Sequence, residues 1–251
     1  YLNGRGVTRD LDRAMELFRQ AAISGYAEAE YDLGCALMDG AQGRKDPYQA
    51  LRWFRLAGAQ GHIASQYRVG YALAHGEGCE VDLQQAATWL RKASINNEPR
   101  AQYEFALLFV RPDYPKHNEE EAMRWMKLSA KAGYAPAQYE LAMFYQNGVG
   151  TLASYDEAFR WAWRAASQEE HKALLLLANL FRFGAGVERN LLAAYALTSY
   201  LSQKDSDASI MALLEALERQ LTANDRASAQ KLLSGVKSAR ELLDTVKNPA
   251  N

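Results

Sequence analysis

Cysteine is scarce. Only Cys35 and Cys79 occur in 251 residues, and nothing in their spacing suggests a disulfide framework or a thiolate zinc site. Histidine is also sparse: His62, His75, His117 and His171. No pair has the HExxH spacing, and no Ser/His/Asp or Cys/His grouping is apparent, so no hydrolytic constellation is legible. An excess of one charge is missing too. Lys and Arg number 29 against 30 Asp and Glu, a formal net charge of −1. That balance gives no electrostatic case for nucleic acid or an anionic membrane. Long apolar runs are absent. The most apolar stretch, Ala173 to Leu180, is followed by Arg182 and falls well short of the roughly 18 to 20 residues of a spanning helix. These absences predict a chain that is not an enzyme, holds no cofactor or metal, and does not insert in a membrane.

What is present is a period. Trp53, Trp89, Trp125 and Trp161 stand 36 residues apart (89 − 53 = 36), each three residues after an alanine: Ala50, Ala86, Ala122 and Ala158. The step continues outward to Ala14 with Leu17 and Ala194 with Leu197. A second series, Tyr31, Tyr67, Tyr103, Tyr139 and then Leu175, keeps the same step. Periods of this size mark arrays of one supersecondary unit, with contacts mainly between neighbours. A hydrophobic content of 49% is ample for a continuous core.

One unit can be read physically. Ser65 to Ala74 sets Val69, Gly70 and Leu73 on one helical face, with Arg68, Tyr71 and His75 opposite. Gly76 and Gly78 stop that helix and turn the chain. Asp82 fits an N-cap, with Gln85 completing a capping-box pattern. A second helix is expected from Leu83 to about Ser94, with Ala86, Trp89, Leu90 and Ala93 on its apolar face. Asn97 closes it where other units carry Gly25, Gly61 and Gly133. Small residues recur at the stacking positions: Gly34, Gly70, Ala106, Ala142, Ala178 and Ala21, Ala57, Ala93, Ser129, Ala165. The G-x-G pieces follow helices and lack a Walker lysine, so they are turns and not phosphate loops. At this period the tryptophans read as core, and His62 as a structural residue of the inter-repeat loop.

These motifs resemble the Sel1-like repeat family, a relative of the tetratricopeptide repeat. AEYDLG at 29–34, the turns GRGV at 4–7, GEGC at 76–79 and GAGV at 184–187, and WFRLA at 53–57 and WLRKA at 89–93 carry the likeness. The resemblance implies an all-α, right-handed α-solenoid of about six to seven helix-turn-helix repeats acting as a protein adaptor. The array is expected over 1–204 and a C-terminal capping helix pair within 205–251. Ala208 to Gln220 would be the first capping helix, and 221–233 the second, capped by Thr222 or Asn224. Tyr1 falls at the end of a unit's first helix, so the first repeat is expected to be truncated. Members include bacterial envelope proteins, polysaccharide-secretion scaffolds and immunity proteins against type VI secretion phospholipase effectors. The resemblance thus implies a protein partner, a secreted effector or an envelope protein, and a periplasmic or envelope location, with the cytoplasm as the alternative. It leaves the oligomeric state open.

Departures from the pattern point to candidate contacts. On the first helices, the side facing away from the core holds Arg68, Glu104, Glu140; Tyr71, Leu107, Met143; and His75, Arg111, Asn147, Phe183. The family implies that this side lines the concave surface. Tyr71, Leu107, Met143 and Phe183 would form an apolar row rimmed by charge, a pattern of interaction surfaces. Internal packing of the same row is the competing reading. Trp163 stands where other units carry Arg19, Arg55, Arg91 and Lys127, which suggests contact with a partner or with the C-terminal cap. A glycan-binding module using Tyr71 and Trp163 is an alternative function. At 110–117 the glycine turn becomes VRPDYPKH, so Pro112 and Pro115 should aim that loop differently. The unit ending near Glu169 and Glu170 loses its closing glycine.

Overall fold

The computed structural model describes residues 11–40, 45–205 and 207–246. Among these residues there are fourteen helices and no strand. The GRGV turn expected at 4–7 lies outside the described residues. The chain divides into two compact units, Tyr1–Asn118 and Glu119–Asn251. The first holds α1 (Leu11–Ile23), α2 (Ala27–Asp39), α3 (Pro47–Ala59), α4 (Ile63–His75), α5 (Leu83–Ile95) and α6 (Pro99–Val110). The second holds α7 (Glu119–Lys131), α8 (Ala135–Asn147), α9 (Tyr155–Ala166), α10 (His171–Phe183) and α11 (Leu191–Ser202). It continues with α12 (Ala208–Glu218), α13 (Ala223–Leu233) and α14 (Ala239–Val246). Within each unit, helices adjacent in sequence pack on one another, save α12 and α13, which each pack on α11.

The caps follow the period. Asp46, Asp82, Ser154 and Asn190 accept the backbone N–H of Gln49, Gln85, Glu157 and Ala193 at 2.9–3.3 Å, starting the second helix of four repeats. Each such cap contributes about 1 kcal/mol. At Asp82 the box differs from the expected one: the Gln85 amide donates to the Asp82 carboxylate at 2.7 Å and does not reach back to the backbone. His62 is a cap as well. Its Nδ1 accepts from Ser65 N at 3.3 Å at the start of α4.

The turn glycines have two separate causes. The first glycine of each turn, Gly40, Gly76, Gly148 and Gly184, ends a helix in the left-handed region. The second glycine is also left-handed and presses on the start of the preceding repeat's second helix. A Cβ on Gly78, Gly150 or Gly186 would lie 2.5, 2.1 or 2.2 Å from the carbonyl oxygen of Pro47, Glu119 or Tyr155. In the proline loop Tyr114 takes this place. It is buried, with its ring edge-on to Phe109 at 5.8 Å. Arg111 ends α6 in extended backbone instead of a left-handed turn. The division between the two units falls directly after this loop.

The small residues of the first helices admit large ones from the second. A Cβ on Gly34 would lie 2.5 Å from the Phe54 ring, and one on Gly70 2.6 Å from Leu90. Where the first position is Ala142, the second is Ala162, and both are fully buried. Trp161 is 7% exposed, whereas Trp53, Trp89 and Trp125 are half-buried, so the tryptophan series is only partly core.

A polar ladder runs beside the core. Gln66, Gln102 and Gln138 are buried, and each Nε2 donates to the carbonyl of Gly58, Ser94 or Ala130 at 3.1 Å. Gln168 completes Gln138 by donating to its Oε1 at 2.8 Å, as Gln60 does to Glu30. Asn96 holds the matching position for Gln66 but turns to the Lys92 carbonyl, and Gln66 Oε1 finds no partner among the described residues. Asn96→Gln should supply that donor and stabilise the protein by about 0.5–1.5 kcal/mol in urea unfolding. A midpoint unchanged or lowered would refute this account.

The C-terminal region holds three helices, one more than the expected pair. Thr222 caps α13 in a full capping box with Asp225. The added helix, α14, packs on α9, α11 and α13 and buries Ala239, Leu242, Leu243 and Val246.

Candidate protein-interaction surface

In the first unit, the side of α4 and α6 that faces away from the core is a half-buried patch in which His75 and Arg111 have carboxylate partners. Tyr71 is half-buried, its ring 4.3 Å from His75 and 6.0 Å from Tyr67. Burial pushes the Tyr71 phenol above its usual range, helped by nearby Glu104 and Glu77. His75 is exposed, and its Nε2 lies 3.0 Å from the buried carboxylate of Glu104. Arg111 donates to the Ala74 carbonyl at 3.0 Å and grips Asp113 through two bonds of 2.9 and 2.8 Å. The arginine thereby satisfies a carbonyl near the end of α4 that has no helical partner of its own. Leu107 sits half-buried on α6. Arg68 lies 5.9 Å from the Phe54 ring centroid. The fork and the imidazole therefore hold this patch in one arrangement before anything binds.

In the second unit the corresponding side of α8 and α10 is barer. Met143 is half-buried and Asn147 exposed. Glu140 is half-buried, and burial raises its carboxyl above the ordinary value, with Lys172 opposing. Phe183 is 68% exposed, beside the Arg182 guanidinium at 5.0 Å. Trp163 is half-buried on α9, 5.6 Å from Phe159, which meets Phe181 edge-on at 5.4 Å. These three rings border a cavity of about 530 Å³ that Val246 of α14 also lines. No group of three metal-ligating side chains occurs among the described residues. No helix there is long and apolar enough to cross a membrane.

Comparison with family profiles matches the Sel1 repeat at residues 1–26, 27–62, 63–97, 99–134, 135–169 and 171–200. The chain belongs to the Sel1 repeat family. Sel1 repeats mediate protein–protein interaction. Among solved structures, the chain is similar to c5321, a protective antigen of uropathogenic Escherichia coli displaying an SLR fold. That likeness has 27% identity and a TM-score of 0.86, and covers 98% of this chain and 53% of the antigen. The chain thus spans about half the length of that relative. A Sel1 repeat protein from Oxalobacter formigenes matches at 21% identity and a TM-score of 0.72, over 96% of this chain and 97% of that one, and shows the fold alone. Comparison with curated proteins finds no match.

The Sel1 frame sorts the candidate residues. Arg68, Tyr71, His75, Leu107 and Arg111 come together in the first unit. Met143, Asn147 and Phe183 share a helical side in the second, and Trp163 stands apart on a second helix of the repeat. Arg52, Arg55, Arg124 and Arg160, on the second helices of their repeats, are exposed. Sequence reasoning missed Phe159 and Phe181, which frame the Trp163 cavity. Their counterparts Leu51 and Leu73 in an earlier Sel1 repeat are ordinary apolar core, so nothing in the periodic pattern separates them. It also missed the destination of Glu169. The lost closing glycine was the available signal.

Proposed function

We propose that this chain is an adaptor that binds a protein partner through the side of its first-in-repeat helices that faces away from the core. The observation that carries the reading is Phe183. A phenylalanine 68% exposed at the end of a helix with a buried apolar face, with an arginine beside it, has no role in the fold that burial would explain. Half-buried Met143 adds to the apolar character of this side in the same unit, and Tyr71 and Leu107 give α4 and α6 of the other unit a like character. Aromatic anchors flanked by charge are the usual centres of interfaces. The paired charges around Tyr71 lower the ordering cost of binding, because the side chains are already fixed.

The test is affinity capture from a bacterial envelope extract, read by mass spectrometry, with Phe183→Glu and Leu107→Asp as paired controls. Phe183→Glu alters an exposed side chain and should leave the unfolding free energy within about 0.5 kcal/mol of the parent. We expect a stoichiometric partner that this variant loses. A partner retained by both variants would remove this side from consideration. The partner's own activity then separates two finer versions. An inhibitor of a secreted effector abolishes that activity, and a scaffold of a secretion complex leaves it intact. Capture of isolated peptidoglycan or exopolysaccharide instead of protein would favour a glycan-binding module.

A further inference from the structure

The C-terminal helix shows what the outer groove of the second unit can hold. α14 packs on α9 and α11 and buries Ala239, Leu242, Leu243 and Val246. That spacing is the i, i+3, i+4, i+7 signature of an amphipathic helix laid in a groove. The groove does not stop at Val246. Beyond it lies the cavity of about 530 Å³, walled by Phe159, Trp163, Phe181 and Val187. This size and aromatic lining suit a bound apolar group. Three arginines stand around it, Arg160, Arg164 and Arg189, against Glu188 in the lining and Glu157 paired to Arg160 at 2.8 Å. The rim therefore keeps a surplus of positive charge. In the first unit the corresponding groove has Arg19 in place of Trp163 and Leu37 in place of Phe181, with Lys45, Asp46 and Gln49 beside Tyr48 and Trp53.

We infer that this cavity receives one large apolar side chain of an acidic segment of the protein partner, with flanking carboxylates meeting Arg160, Arg164 and Arg189. The inference rests on the adaptor reading and names the chemistry of the partner at a second place on the chain. Trp163 is the specificity-determining wall, because basic residues hold its position in four other repeats.

The probe is a short fluorescein-labelled peptide with one phenylalanine between glutamates, titrated by anisotropy against the whole chain. Comparison peptides replace the glutamates by lysines or the phenylalanine by alanine. We expect saturable binding of the acidic phenylalanine peptide only, weakened roughly tenfold or more by Trp163→Arg. Trp163→Arg installs the residue type of the other repeats and should fold. Arg160→Glu, at an exposed position, should weaken binding similarly and provides a second variant. No saturable binding, equal binding of the lysine peptide, or binding indifferent to both variants would overturn the inference. So would self-association of the chain abolished by Trp163→Arg, which would assign the cavity to a second copy. Partner capture that depends on Phe183 but not on Trp163 would leave the adaptor reading standing and this one refuted.

Discussion

Gly186→Ala is expected to be among the most damaging single substitutions in the protein, at about 3–5 kcal/mol. Two costs combine. The residue has φ of +67°, where alanine is strained by about 1 kcal/mol or more. Its new Cβ would also stand 2.2 Å from the Tyr155 carbonyl oxygen. That atom belongs to backbone at the first turn of α9, so no rotamer change relieves the overlap, and the turn or the helix must move at a further few kcal/mol. Gly133→Ala is the control. Gly133 has φ of +93° with nothing within 4 Å of the added carbon, so it isolates the conformational cost. Urea unfolding of both variants should give a loss at Gly186 at least twice that at Gly133. Equal losses would sink the close-approach argument.

Removing the Glu169 carboxylate should release α14. Glu169 takes the closing-glycine position of its repeat and adopts the glycine conformation, φ +63°. Its oxygens accept from Tyr200 Oη at 3.0 and 3.1 Å, from Lys204 Nζ at 2.9 Å, and from Ala239 N, at the first turn of α14, at 2.5 Å. Charge-assisted bonds are worth about 1.5–3 kcal/mol in protected sites, and less here, where the carboxylate is about one-third exposed. Glu169→Ala should therefore lower amide-exchange protection at Leu242 and Leu243 by about tenfold or more, which is about 1.4 kcal/mol. Helices α7 and α8 should be unaffected. Protection lost evenly across the unit would indicate general destabilisation instead. Acid should mimic the substitution. Burial, the largest single influence, raises this carboxyl, but Lys204, the Ala239 amide and Tyr200 together outweigh it and leave it below its ordinary 4.5. A lowered native value means the stabilisation is complete above the unfolded-state pKa and disappears as pH falls through the native one. Protection of α14 should thus hold at neutral pH and fall away below about pH 4.5. In Glu169→Ala that selective acid loss should vanish.

How far the sequence reveals this protein depends on whether a residue acts within its own repeat. Gly70, Asp82 and Asn97 each act within one repeat, and the 36-residue step exposes them all. The glycines of the second turn position were legible as turn formers but not as contacts, because their partners Pro47, Glu119 and Tyr155 belong to the preceding repeat. Glu169 looked like a lost glycine because its partner Ala239 lies 70 residues on. α14 is only eight residues long, and packing against α9, α11 and α13 stabilises it more than helix propensity does. On the interaction surface, the placement of Tyr71 and Phe183 follows from helical spacing, but their unequal exposure does not. The His75–Glu104 and Arg111–Ala74 contacts depend on how two repeats pack. The Trp163 cavity depends on Val246, which no local pattern places there.

The second turn glycines carry a consequence for how such a chain can change. They join one repeat to the next through main chain alone, a carbonyl against a bare α-carbon, so within each unit the spacing between those repeats does not depend on the solvent-facing side chains. Residues such as Arg55, Trp163 or Phe183 can then be exchanged with little disturbance to the spacing, and whole repeats bearing both glycines become interchangeable parts. The segment at 110–117 is the exception. There the buried Tyr114 stands where the other repeats have the second glycine, so that joint is not of the same kind.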